Sequence, residues 1–322
     1  MRLEYQILAA VALDLLIGDP RWFPHPVRGI GLLALRLEGP ARRCFARPKV
    51  AGICVAIVTV GVAGALAFAV VAGAGRLHPL LADVASILLI YTAIATRDMA
   101  RHSMSVYRAL ADGDLAEARK RVSMIVGRDT DCLDEPEVAR AAVESVAESI
   151  VDGITAPLFF AAVFGPVGAV VYRAINTLDS TFGYKNVRYL KFGWASARLD
   201  DLANLIPARL TGPMVCLAAA GLRERAVASL RTLLRDARNH ASPNAGFTEA
   251  AIAGALGVQL GGLNYYFGRP SRKPTIGDSV ETLGKAHIPR ANALMFATVG
   301  IFLALCLGCR ALTTFVLGGV GF

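Results

Sequence analysis

Charged residues fall into bands along this chain. From Val50 to Gly75 there is no charge, a run longer than the roughly 20 residues that cross a bilayer core as a helix. Leu80 to Thr96 repeats the pattern with Asp83 near its start, and Ala291 to Cys309 is again charge-free. Leu3 to Ile17 is apolar but holds Glu4 and Asp14. These bands predict spans at 3–17, 50–75, 80–96 and 291–309. Ile154 to Tyr172 fits less well, because Gly165-Pro166 interrupts it and the basic residues Arg173, Lys185, Arg188, Lys191 and Arg198 follow. A full crossing would export that loop. A broken helix or re-entrant hairpin agrees better with the charges, and irregular backbone is tolerated at membrane depth where it lines a protein-enclosed cavity. Pro213 to Leu222 and Ala250 to Gly262 are treated the same way.

Between these bands, Arg97 to Val126 reads as an amphipathic helix broken at Asp112-Gly113-Asp114, where Asp caps the next helix. Gly268 to Pro289 reads as an irregular connection. No stretch of useful length alternates with period two, and no unit repeats. The fold class is therefore all-α: a polytopic integral membrane protein with broken or re-entrant helices. It forms one domain over 1–322, with a cytoplasm-facing functional region at 97–289.

Composition supports this. Of 322 residues 55% are hydrophobic and 18% charged, and the mean hydropathy is +0.50, too apolar for a water-soluble chain of this size. The first apolar segment is retained rather than a signal peptide, since carboxylates interrupt it and Gly18-Asp19-Pro20 stands where a cleavage site would be. The loop between it and Val50 carries seven Arg or Lys against Asp19 and Glu38, which places it in the cytoplasm of a cell (inner) membrane. The net charge of +9 lies in such loops and suits membrane lipid headgroups; nothing interleaves base and aromatic residues as nucleic-acid binding requires. The six cysteines are scattered without zinc spacing, and Cys306 and Cys309 sit in an apolar span as small hydrophobes.

Chemistry concentrates from Gly127 to Thr211. Glu144, Glu148 and Asp152 stand at i, i+4 and i+8, one face of a helix, with no Arg or Lys between Glu144 and Asp152 to relieve their repulsion. That face meets a cation such as Mg²⁺, or Arg and Lys from elsewhere in the fold. Arg128 is a candidate phosphate clamp, with a salt bridge to Asp129 as its competing use. Arg173, Asn176, Asp179 and Lys185, then Asp200, Asp201 and Arg209, form a third group, whose alternative is mutual pairing that fastens broken helices. Asp19 and His25 near the first span are candidates for metal or phosphate, or simply a Pro-rich turn with a cap. Ser242 and Asn244, with Glu249 beyond, mark a helix start whose amides could approach phosphate, or whose side chains only cap it.

These blocks in this order resemble the CobD/CbiB family of membrane proteins, the adenosylcobinamide-phosphate synthases. The blocks include Gly18-Asp19-Pro20, Pro24-His25-Pro26-Val27, Gly127-Arg128-Asp129-Thr130, Asn176-Thr177-Leu178-Asp179, Arg198-Leu199-Asp200-Asp201 and Ser242-Pro243-Asn244-Ala245-Gly246. The resemblance implies ATP-driven amide formation between adenosylcobyric acid and (R)-1-aminopropan-2-ol or its O-phosphate. It also implies contacts with other membrane proteins of the corrinoid pathway. From that chemistry we assign Mg²⁺ to Glu144, Glu148 and Asp152 with Asp200 and Asp201 in reserve. Arg128, Arg173, Lys185 and Arg209 are assigned as clamps, and His25 as the base beside Asp19. Substrate contacts fall to Asn176, Asp179, Ser242, Asn244 and Glu249. Ser149 departs from the family, which commonly has Asn there. Two other readings are a Mg²⁺-dependent transferase of diphosphate-bearing lipids and an anion transporter.

Overall fold

The computed structural model describes residues 1–20, 25–184 and 186–319, with side chains through residue 312. In chain order the helices begin with α1 (Leu3–Ile17), α2 (Pro26–Cys44), α3 (Pro48–Leu77), α4 (Pro79–Tyr91), α5 (Thr96–Ala111), α6 (Leu115–Val122) and α7 (Glu135–Ser149). A π-helical turn (Ile150–Thr155) leads into α8 (Ala156–Phe182), α9 (Trp194–Ala203), α10 (Leu205–Gly221), α11 (Ala226–Asp236) and α12 (Ala245–Leu256). Strands β1 (Leu260–Tyr266) and β2 (Arg269–Ile276) precede α13 (His287–Gly319). The helices gather into two compact units, each discontinuous in sequence. One holds Met1–Ala95, Ala156–Asn204 and the residues from Leu305 on; the other holds Thr96–Thr155 and Leu205–Ala304.

The first unit is built around α3. Its charge-free sequence turns Ile57, Leu66 and Phe68 outward, each more than 60% exposed, and buries Ala51, Gly52, Ala56, Ala63 and Ala67. Large apolar side chains outside and small ones inside invert the pattern expected in water. They suit a helix that meets lipid and lets neighbouring backbones approach closely. Ala51, Val55 and Ala56 pack on Leu178, Phe182 and Phe192, while Ala63 and Ala67 meet Val170 and Ala174 of α8. The predicted interruption in α8 is present as a kink. Gly165 adopts φ 69° before Pro166, which lacks an N–H and pushes the preceding residue out of helical geometry; glycine enters the left-handed region without a Cβ penalty.

Four helical stretches among the described residues are long and apolar enough to cross a membrane: Pro48–Leu77, Pro79–Ala111, Glu135–Phe182 and His287–Leu312. The chain is a helical polytopic membrane protein. The sequence placed the second of these at 80–96, and the structure continues it through α5. Ile154 to Tyr172, expected to be a poor span, lies inside the stretch Glu135–Phe182, in which α7, the π turn and α8 form one helical run. Leu3–Ile17 is helical but only 15 residues long.

In the second unit α12 is buried along its whole length, and α10 and α11 pack against it. The expectation of an irregular connection after Gly268 is corrected here. Residues 260–276 form an antiparallel hairpin in which Tyr266 pairs with Arg269, leaving Phe267 and Gly268 as a two-residue turn with φ of 54° and 72°. Two left-handed residues make the turn whose twist matches the strands. Pro270 and Pro274 disguised β2 in the sequence, yet proline is tolerated on the edge strand of a two-stranded sheet. Asp129 fastens the turn: its carboxylate accepts from the Phe267 and Gly268 amides at 3.1 and 2.7 Å, and its own amide donates to Tyr265 O at 2.8 Å.

Candidate functional site

Helix α7 starts at a fixed register. Asp134 accepts from the Glu137 amide at 2.8 Å and Glu137 accepts from the Asp134 amide at 3.1 Å, a reciprocal capping box. Glu144 and Glu148 follow one turn apart on one face. The wider π turn then begins at Ile150, and a π turn breaks the four-residue register. Asp152 therefore does not continue the row, and it does not line the cavity that Glu144 and Glu148 share.

That cavity, about 110 Å³, lies wholly within the second unit. Arg128, Glu144, Ser145, Glu148, Glu249, Tyr266 and Lys273 supply its chemically active wall. Arg128 is buried and donates through one terminal nitrogen to Asn264 Oδ1 and through the other to Glu144 Oε2. Asp129, the sequence-level rival for Arg128, is occupied by the hairpin turn instead. Glu144 is further held by the Gly261 amide at 2.8 Å and by Arg140 at 3.4 Å. Arg140 also donates to Gly261 O and, at 3.0 Å, to Leu263 O. The relief of carboxylate repulsion thus comes from arginines and backbone of the fold.

Glu144 is consequently an anchor for the hairpin and not an open metal ligand. Among the described residues no three His, Cys, Asp or Glu groups gather closely enough to hold a metal ion. Of the five carboxylates expected to hold Mg²⁺, Glu144, Glu148 and Asp152 lie in the second unit, where only Glu144 and Glu148 line the cavity, and Asp200 and Asp201 lie in the first. Glu148 differs. It lines the cavity, is exposed, and has no hydrogen bond or ion pair among the described residues.

Glu249 enters from α12, which is not one of the four long apolar stretches. Burial pushes its carboxyl well above the usual carboxylate range; Glu144 and Glu148 add to this, and Lys273 and Arg128 oppose it. His240 Nε2 lies 3.5 Å from Glu249 Oε1. Burial and Lys273 hold its imidazole below the ordinary value, and hence neutral. At the start of α12 the Ser242 hydroxyl accepts from the Asn244 and Ala245 amides, both at 3.3 Å. Those amides are capped, so the phosphate reading of this turn gives way to the structural one. Arg209 is exposed, yet its guanidinium is held within the fold: it donates to Leu205 O at 2.7 Å and Asn244 Oδ1 at 3.2 Å, over the Phe247 ring.

The first unit gathers a second polar group. Asp200 accepts from Asn176 at 3.3 Å and Asn204 at 2.9 Å, and Tyr172 donates to Asn204 at 2.8 Å. Arg173 donates to Asn176 at 3.3 Å. This mutual pairing fastens α8 to α9, as the structural alternative anticipated. Asp179 is half-buried on α8, with its carbonyl accepting from the Gly183 amide, and Asp201 pairs with Arg198 at 3.4 Å. His25 caps α2 by accepting from the Val27 amide at 3.3 Å, and its Nε2 lies 3.6 Å from Asp19. Lys185 lies outside the described residues.

The residues that sequence reasoning missed are Arg140, His240, Asn264 and Lys273. The last two ride on the hairpin, and the turn pair Phe267-Gly268 between Tyr266 and Arg269 was the available signal.

Comparison with known proteins matches residues 7–295 to the family model described as CobD/Cbib protein. A cobalamin biosynthesis protein CobD of Geobacter metallireducens is 56% identical over 279 residues, covering 86% of this chain and 87% of that one. A CobD of Leptospira interrogans is 47% identical over 293 residues, covering 91% and 93%. A cobalamin biosynthesis protein CbiB of Salmonella arizonae is 44% identical over 304 residues, covering 94% and 95%. No solved structure matches the chain.

Proposed function

The chain belongs to the CobD/CbiB family and serves cobalamin biosynthesis; on that premise we propose that it is an ATP-dependent ligase that joins adenosylcobyric acid to (R)-1-aminopropan-2-ol or its O-phosphate through an amide bond. Family membership disfavours the diphosphate-lipid transferase and the transporter. The observation that carries the ligase reading is the bipolar cavity, with Glu148 and Glu249 opposed by Arg128 and Lys273. A carboxylate must be activated before an amine can displace its oxygen, and phosphorylation supplies a competent leaving group. That chemistry puts an ammonium beside an anionic acyl phosphate, and this wall carries both complements.

At about 110 Å³ the cavity falls below the roughly 300–1,000 Å³ of sites that enclose drug-sized ligands. It admits the reacting ends and not a whole nucleotide or corrin ring. Lys273 has no ion-pair partner among the described residues and is the open clamp for oxyanion charge. Arg128, fixed by Glu144 and Asn264, contributes a preorganised positive field. Mg²⁺ commonly takes one or two carboxylates and completes its shell with phosphate oxygens and water, and Glu148 fits that role. Bound there, the ion would neutralise phosphoryl charge. We place the reaction at the cytoplasmic face of the inner membrane, where the basic loops lie.

The test is mass spectrometry of reactions of the purified protein with adenosylcobyric acid, ATP, Mg²⁺ and each amine in turn. An amide product dependent on ATP supports the reading; unchanged corrinoid with both amines removes it.

A further inference from the structure

Glu249 closes the acidic side of the cavity with its side chain 6% exposed, and His240 is its neighbour at 10%. The Ser242 amide donates to His240 Nδ1 at 3.0 Å, which fixes the lone pair on that nitrogen and leaves the ring proton of the neutral imidazole on Nε2. Nε2 is the atom 3.5 Å from the carboxylate, and it has no hydrogen-bond partner among the described residues. A buried donor held just beyond bonding distance of a carboxylate closes on it when the carboxylate is charged and relaxes when it is protonated. The other candidates for proton transfer are committed elsewhere. Glu144 is saturated by two arginines and the Gly261 amide, Glu148 stands at the exposed side, and His25 caps α2.

We propose that Glu249 is the catalytic base that deprotonates the ammonium nucleophile, with His240 as the positioning residue that stabilises its charged form. The proposal rests on the ligase reading. The amine nitrogen bonds to the carbonyl carbon of the acyl phosphate as the bond from that carbon to the phosphoryl oxygen breaks. Of the three protons on the ammonium, one stays on the amide nitrogen, one passes to Glu249, and one leaves with the phosphate as hydrogen phosphate. Burial first, and then the charges of Glu144 and Glu148 against those of Lys273 and Arg128, hold the Glu249 carboxyl well above the usual carboxylate range, which makes it a stronger base than an exposed carboxylate.

The test uses the full-length protein in detergent with the corrinoid acid, ATP and Mg²⁺. It offers either aminopropanol or hydroxylamine, which is largely unprotonated at neutral pH and traps an acyl phosphate as a hydroxamate without needing a base. Glu249→Gln should lower amide formation about 100-fold or more, the scale of general-base catalysis, while hydroxamate formation stays near the wild-type rate. Retained hydroxamate formation also shows that the variant is folded. Equal loss of both products, or an undiminished amide rate, overturns the assignment. His240→Phe should shift the rising, acid limb of the kcat/KM profile to higher pH, because losing the donor makes Glu249 harder to ionise; an unmoved limb overturns the role of His240. If the wild-type protein gives neither hydroxamate nor ADP, the ligase reading itself fails, and the base assignment with it.

Discussion

Glu144 Oε1 accepts the backbone amide of Gly261 at 2.8 Å, while the same carboxylate pairs with Arg128 and Arg140. One buried side chain thus ties α7 to the first strand of the hairpin. Removing one partner of a buried ion pair leaves the other uncompensated in a poorly solvated site, at a cost of about 3–5 kcal/mol. Glu144→Ala should therefore lower Tm sharply and reduce accumulation in the membrane. A Tm equal to that of wild type would show that the hairpin is held by something else.

Glu148 is the opposite case. It is exposed to the cavity and holds no partner among the described residues, so Glu148→Gln should leave Tm nearly unchanged. If it serves Mg²⁺, turnover should fall by orders of magnitude and the remainder should demand more Mg²⁺. Rate against Mg²⁺ concentration, measured beside Tm, decides. A lowered Tm with an unshifted Mg²⁺ curve would remove Glu148 from the site.

Lys273 is the open cation of the cavity. Lys273→Met should raise KM for the anionic substrate by about tenfold or more, the effect of losing a charge-assisted hydrogen bond worth about 1.5–3 kcal/mol. Lys273→Arg should restore part of it. Steady-state kinetics checks both, and an unchanged KM would leave Lys273 a surface charge.

Much of this was legible in the sequence. The charge-free band at Val50–Gly75, the break at Gly165-Pro166 and the shared face of Glu144 and Glu148 follow from local pattern alone. What was not legible depends on partners distant in sequence. Arg140 stands one helical turn before Glu144 and was open to local reading, but nothing near Glu144 announces Arg128 or the Gly261 amide, so it read as a metal ligand. Asp152 has the right spacing for an α-helix and lost its place because the helix widens after Ser149. The prolines of β2 hid the strand that delivers Lys273, and the hydrogen bonds that tie Asp200 to Asn176 and Asn204 span residues on two helices.

The hairpin gives a pH dependence with a definite sign. Arg235, and then the Gly277 amide at 2.9 Å, hold the Asp236 carboxyl below its ordinary value of 3.8. A depressed carboxyl stabilises the fold fully above the ordinary value, and that contribution is lost as pH falls through the folded-state value. Asp236→Asn should thus lower Tm at neutral pH, with the gap to wild type closing below about pH 4. A gap that stays constant down to strong acid would exclude the ionised carboxylate as its cause.

The central claim, activation of the corrinoid carboxylate by phosphorylation, is tested most directly by isotope transfer. The corrinoid acid is prepared with oxygen-18 in its free carboxylate, and the inorganic phosphate released during amide formation is analysed by mass spectrometry. Attack of that carboxylate on the terminal phosphoryl group of ATP predicts one labelled oxygen in each phosphate, together with unlabelled ADP. Unlabelled phosphate, or label carried into AMP, would contradict it.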